Sequence, residues 1–129
     1  MLISVADASF TGKVLQKIEL EFATEWVTIK DIITARVNQE VEEYNQKQGE
    51  YFRGLVIPSE AEQTLNGYKL KDKKRIDAEK QVYVALHAFQ NNGYFVLIDD
   101  VQSEDLEQKV QLKAEMSINF VKLTPLVGG

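Results

Sequence analysis

Between residues 14 and 48 the hydrophobic pattern changes period once, and that change narrows the folds open to the chain. Ile18, Leu20 and Phe22 alternate with Lys17, Glu19 and Glu21. A period of two belongs to a strand with one face on a core and the other in water. From residue 29 the period lengthens: Ile29, Ile32, Ile33, Val37, Val41 and Tyr44 recur at helical spacing. Arg36, Gln39, Glu40, Glu43 and Gln46 are assigned to the wet side of that helix. Thr28 is a good N-cap, and Asp31 three residues on makes a variant capping box that also complements the helix dipole. The helix is expected to end near Gln48, with Gly49 as terminator. Its stripe should lie on the apolar face of the preceding strands.

The flanking segments extend this pattern. Residues 2–6 are apolar enough for a first strand, and Ser9-Phe10-Thr11-Gly12 supplies turn chemistry, so a hairpin with residues 14–22 is the economical pairing. Tyr51-Phe52 and Leu55-Val56-Ile57 are apolar, and Pro58 breaks that run. Ser59 with Glu62 reads as a second capping box, for a short helix over about 60–65 closed by Asn66-Gly67. Ala78, Val82, Ala85, Leu86 and Phe89 predict another helix over 77–91, stopped by Asn92-Gly93. Tyr94 to Ile98 is a third strand, and Asp99-Asp100 turns the chain. Residues 101–112 read as irregular, anchored by Val101, Leu106, Val110 and Leu112, with Ser103 or Asp105 capping a single helical turn. Ile118 to Leu123 is the last strand, and Pro125 marks its end.

Composition sets outer limits. A chain of 129 residues, 44% hydrophobic and 27% charged, is expected to form one domain. With no cysteine it has no disulfide, thiolate metal site or cysteine nucleophile. A net charge of −5 disfavours binding to nucleic acid through phosphate contacts. No apolar run approaches the ~18 residues of a membrane span, and Met1 to Asp7 lacks the basic start and long apolar run of a signal peptide. A cytoplasmic protein that does not engage membranes is the expectation.

The chemistry-bearing residues are few. His87 has no nucleophile or orienting group placed for it in the sequence. Asp99, Asp100, Glu104, Asp105 and Glu107 lack the alternating ligands and turn glycine of a calcium loop, and read as solvated turns. Lys69, Lys71, Lys73, Lys74 and Arg75 are interrupted by Asp72 and read as a solvated connector. Trp26 is expected to pack against the start of the first helix. No metal site or bound cofactor is expected. The sequence closes on Gly128-Gly129, two residues without side chains carrying an α-carboxylate. Such an end enters a narrow channel where a side chain would clash.

The order hairpin, helix, strand, irregular segment, final strand and diglycine resembles the ubiquitin-like β-grasp superfamily, over residues 2–46 and 94–129. Leu123-Thr124-Pro125-Leu126-Val127-Gly128-Gly129 is similar to the tail of the small subunit of molybdopterin synthase and its relatives. It is also similar to bacterial ubiquitin-like proteins encoded beside activating-type and conjugating-type enzymes. The resemblance implies an α+β β-grasp domain over 1–127, with a mixed sheet of four or five strands crossed by one helix, and a diglycine tail at 128–129. Residues 47–93 depart from the pattern and imply an insertion carrying its own helix.

The resemblance also implies a function. Gly129 would be adenylated by an activating enzyme that uses ATP and magnesium, and Gly128 would give the tail clearance. Leu123, Pro125, Leu126 and Val127 would form the partner-binding part of the tail. The chain would be a carrier and substrate rather than an enzyme, joined to protein targets through a conjugating enzyme and released by a deconjugating peptidase. Two alternatives stay open: a sulfur carrier with a C-terminal thiocarboxylate, and a non-covalent β-grasp interaction or assembly domain. Self-association is open in all three.

Overall fold

The computed structural model describes residues 1–47, 52, 54–58, 61–64, 67–70 and 75–122, with the backbone alone for 47, 61–64 and 67–70. The expected hairpin is present. Strands β1 (Leu2–Ala8) and β2 (Val14–Glu21) pair antiparallel from Leu2↔Glu21 to Ala8↔Val14, with a bulge at Asp7/Ala8. Gly12 sits in the turn at φ +87, where only glycine is unstrained. After a short strand β3 (Trp26–Thr28) comes α1 (Ile29–Lys47). Its start is the expected capping box: the Asp31 N–H donates to Thr28 Oγ1, and the Thr28 N–H donates to Asp31 Oδ2.

The region between α1 and the third predicted strand holds two short strands as well as a helix. Strands β4 (Ala61–Thr64) and β5 (Gly67–Leu70) form an antiparallel pair where a short helix was expected. Of Asn66-Gly67, read as a helix stop, Gly67 opens β5 and Asn66 lies outside the described residues; an Asn-Gly step is also a strong hairpin signal. Ser59, the proposed cap, lies outside the described residues. Helix α2 (Ala78–Gln90) matches its prediction, with Asp77 as N-cap accepting from the Lys80 N–H. It closes as expected: Asn92 takes a left-handed conformation and the Gly93 N–H donates to the Ala88 carbonyl.

Strand β6 (Tyr94–Ile98) has its predicted bounds. Asp99 and Asp100, both at positive φ, turn it directly into β7 (Val101–Ser103). The segment expected to be irregular thus contains β7 and a further strand, β8 (Lys109–Gln111), which pairs antiparallel with β3. Val110 and Leu112 are buried as expected, whereas Val101 is 68% exposed at the sheet margin. The last strand, β9 (Ile118–Lys122), runs parallel to β1 and antiparallel to β6.

The main sheet is mixed and five-stranded, in the order β2-β1-β9-β6-β7, and among the described residues two helices complete an α+β architecture. Ile3 and Val5 of β1, Leu20 of β2, Val96 of β6 and Ile118 and Phe120 of β9 form one core face. Ile29, Ile32, Ile33, Val37 and Val41 of α1 pack in the same cluster, as do Ala85 and Phe89 of α2. Val27, Val110 and Leu112 close it beside the helix start. Among the described residues no helix is long and apolar enough to cross a membrane.

Candidate functional site

The described residues contain one cluster of buried charge, and it sits where β9 ends. Strand alternation after Ile3 and Val5 turns Asp7 into the core, where it is 2% exposed. Arg36 lies seven residues after Ile29 and Glu40 eleven, so helical geometry brings both onto the buried stripe. This corrects their assignment to the wet side: Arg36 is 0% exposed and Glu40 9%.

The charges are closely paired. The Arg36 guanidinium makes a two-pronged contact with Asp7, its Nη2 donating to Oδ2 at 2.7 Å, and its Nε donates to Glu40 Oε1. Gln16 of β2 donates a further hydrogen bond to Asp7 Oδ2 at 2.6 Å. The guanidinium also stacks over the Phe120 ring, with Cζ 4.5 Å from the ring centroid. Lys122, the last residue of β9, lies 4.0 Å from Asp7 Oδ2 and donates to the Gly54 carbonyl at 2.8 Å. Glu40 Oε2 accepts the Leu55 N–H at 3.0 Å, and Gln81 of α2 donates to the Val56 carbonyl. The segment 54–56 is thus strapped down by side chains from α1, α2 and β9.

Electrostatics follow from that packing. Burial alone pushes the Asp7 carboxyl upward, but the hydrogen bonds and charge of Arg36, with Gln16 and Lys122, outweigh it and hold Asp7 below its ordinary value. For Glu40 burial dominates over Arg36 and the Leu55 N–H, and its carboxyl is pushed up. Burial likewise lowers Lys122 against the attraction of Asp7. Burial raises the Tyr94 phenol, which donates to the Ala85 carbonyl inside the core. Every charge in the cluster has a partner, the Lys122 amine included. Its chemistry is positional: it pins the end of β9, and with it the point from which the tail departs.

The sequence-predicted tail residues Leu123, Pro125, Leu126, Val127, Gly128 and Gly129 lie outside the described residues. What the fold sets is their point of departure. β9 occupies the middle of the sheet, and its pairs Ala6↔Asn119, Asp7↔Phe120 and Ala8↔Val121 run parallel to β1. The chain therefore leaves Lys122 at the end of the sheet that carries the turn between β1 and β2. Phe10, Val14 and Leu15 are exposed at that end.

The other candidates stand apart from this point. His87 is exposed on α2, stacked on Tyr83 and next to Asn91. The Asp99 carboxylate accepts the Ser117 N–H, and the Asp105 carboxylate accepts the Glu107 N–H. Both act as turn-formers. Among the described residues no group of three potential metal ligands comes together. Of the basic cluster, Lys71, Lys73 and Lys74 lie outside the described residues, and Arg75 is exposed. Trp26 does not staple the helix start; it is 58% exposed in β3, on an open groove of about 390 Å³ shared with Val27, Thr28, Asp31 and Lys109.

Asp7, Arg36, Glu40 and Lys122 are the residues that sequence reasoning missed. A signal was present: Asp7 continues the alternation of Ile3 and Val5, and Arg36 and Glu40 share a helical face with Ile29. Comparison with known protein families, curated proteins and solved structures finds no match to this chain.

Proposed function

We propose that this chain is a ubiquitin-like protein modifier of β-grasp type, activated at the Gly129 carboxylate. The observation that carries the reading is the strand order β2-β1-β9-β6-β7, with α1 packed on the sheet and the central β9 leading into the diglycine end. A hairpin, a crossing helix and a final central strand parallel to the first is the arrangement that β-grasp carriers use to launch their tails. The buried Asp7–Arg36–Glu40 cluster and Lys122 anchor the base of that strand.

Residues 123–129 span at most about 25 Å when extended. That length lets Gly129 reach into a partner's active site while the sheet stays outside. There the carboxylate attacks the α-phosphate of ATP, releasing pyrophosphate and forming an acyl-adenylate. A thiol of the partner then displaces AMP to give a thioester, and an amine of the target displaces the thiol to give an amide. All catalytic groups belong to the activating and conjugating enzymes, and magnesium and ATP are bound by the former. Leu123, Leu126 and Val127 supply apolar surface for the partner's channel.

The test is intact-mass measurement after incubation with ATP, magnesium and an activating enzyme encoded beside this chain. An adenylate or thioester on Gly129, followed by a glycine-linked adduct on a protein, is the expected result. Exchange of one carboxylate oxygen for sulfur would assign the sulfur-carrier alternative instead. No reaction, with function unchanged after removal of Gly128 and Gly129, would leave the non-covalent assembly domain.

A further inference from the structure

We propose that the chain pairs with a second copy of itself through the free edge of β2, forming a continuous sheet across a two-fold axis. Among the described residues β2 is hydrogen-bonded on one side only, to β1. It is eight residues long and contains neither proline nor glycine. The bulge in the hairpin falls at Asp7/Ala8, opposite the start of β2, and leaves the pairing from Gln16 to Glu21 regular. A long, regular and uncovered edge is a template for another strand.

The backbone polarity of that edge follows from the hairpin register. The Phe22 N–H donates to the Met1 carbonyl, and the Met1 amino group donates to the Phe22 carbonyl. Met1 and Phe22 are thus a hydrogen-bonded pair, and antiparallel ladders alternate such pairs. Leu20, Ile18 and Gln16 therefore turn their backbone groups toward β1. Lys17, Glu19 and Glu21 turn theirs outward, and all three side chains are exposed.

Charge selects the partner and the register. With Ile18 on the two-fold axis, Lys17 faces Glu19 of the second copy and Glu19 faces its Lys17. The outward-pointing N–H and C=O groups of Lys17 and Glu19 then meet their counterparts on the second copy. Moving the axis to Lys17 sets Lys17 on itself, and moving it to Glu19 sets Glu19 on itself. Like charges directly opposite one another are destabilising. Of the registers that pair the strand about its middle, the one centred on Ile18 alone avoids them. Half-buried Ile18, at the margin of the core, gains an identical apolar neighbour.

Such a strand is about 27 Å long and covers less than the ~800 Å² per partner of a stable complex. The pairing is accordingly a concentration-dependent dimer of micromolar strength. It leaves β9, and so the departure point of the tail, in the middle of each half-sheet.

The chain has no cysteine, so a single introduced thiol reports only on contact between copies. In the proposed register Ile18 is a non-hydrogen-bonded pair with its own copy, with Cα atoms about 4.5 Å apart. That lies within the range a disulfide spans, about 4.4–6.8 Å. Ile18→Cys should therefore oxidise to a covalent dimer at least about tenfold faster than Tyr83→Cys, whose exposed position on α2 sets the random-collision rate.

Sedimentation velocity over about a hundredfold range around micromolar concentration should show a reversible dimer of the unaltered chain. Lys17→Glu should raise its dissociation constant by about tenfold or more. The double exchange Lys17→Glu with Glu19→Lys should restore it. Both positions are exposed, so the variants keep the melting temperature of the parent. A chain that stays monomeric throughout, with Ile18→Cys no faster than Tyr83→Cys, overturns the proposal. So does a dimer that Lys17→Glu leaves unchanged.

Discussion

Arg36 ties the buried cluster together. It bridges two buried carboxylates and stacks on Phe120, so its removal leaves Asp7 and Glu40 without their principal counter-charge. Breaking one partner out of a buried ionic group costs about 3–5 kcal/mol. Arg36→Met, which keeps much of the volume, should lose that amount in urea denaturation. Exposed Arg75→Met should lose less than about 0.5 kcal/mol. Asp7 adds a pH signature. Its folded-state pKa is depressed, so its contribution to stability is complete above the unfolded value of about 3.9 and is lost as pH falls through the lower folded value. Glu40 acts in the opposite sense: its raised folded pKa favours the protonated form, so its contribution is lost as pH rises through that value. Asp7→Asn should therefore show a shallower loss of melting temperature below about pH 4 than the parent chain, although it is the less stable protein at neutral pH. A parallel pH dependence in the two proteins would remove Asp7 from the acid response.

At the scale of the element, the segment 54–56 depends on neighbours distant in sequence. Lys122 holds the Gly54 carbonyl, Glu40 the Leu55 N–H and Gln81 the Val56 carbonyl. Gly54 is fitted closely: a Cβ there would lie 2.0 Å from the Phe52 ring and 2.8 Å from Glu40 Oε2. Lys122→Met should release one strap, worth about 1 kcal/mol, and speed local hydrogen exchange at Leu55 about fivefold. Exchange within α1 should stay the same. Equal acceleration in both would mean that the segment opens only with the whole domain. The elements also separate what is legible in sequence from what is not. α1, α2 and β6 carry strong local signals: two helical stripes with caps, and an apolar run between Gly93 and Asp99. β3, β7 and β8 are three residues each, too short for any periodicity to show. β3 and β8 exist because Trp26–Thr28 and Lys109–Gln111 find each other across the fold, and β7 because the turn at Asp99-Asp100 lays it against β6. The pair β4–β5 was misread because Ser59 and Glu62 mimic a cap while Asn66-Gly67 serves either motif.

At the scale of the whole molecule the diglycine can be tested apart from the domain. Deleting Gly128 and Gly129 should leave stability within about 0.5 kcal/mol, because among the described residues the core lies between Ile3 and Val121. The same deletion should abolish every adduct formed with an activating enzyme, read by intact mass. A marked drop in melting temperature would show that the diglycine belongs to the packing of the domain rather than to its chemistry. The proposed pairing through β2 belongs to this scale too, since it turns two five-stranded sheets into one. The sequence by itself determined the hairpin, both helices, the third and last strands, the absence of thiol chemistry and the diglycine end. These rest on local periodicity, capping and composition, which need no knowledge of distant residues. Only the tertiary structure decided that Arg36 and Glu40 face inward, that β9 lies between β1 and β6, and that, among the described residues, β2 is paired on one side only. A buried charge is tolerated only when its counter-charge arrives from elsewhere in the chain, and Asp7 lies 29 residues before Arg36. Strand order likewise depends on which edges remain free once the hairpin and helix have packed, a choice that no local pattern encodes.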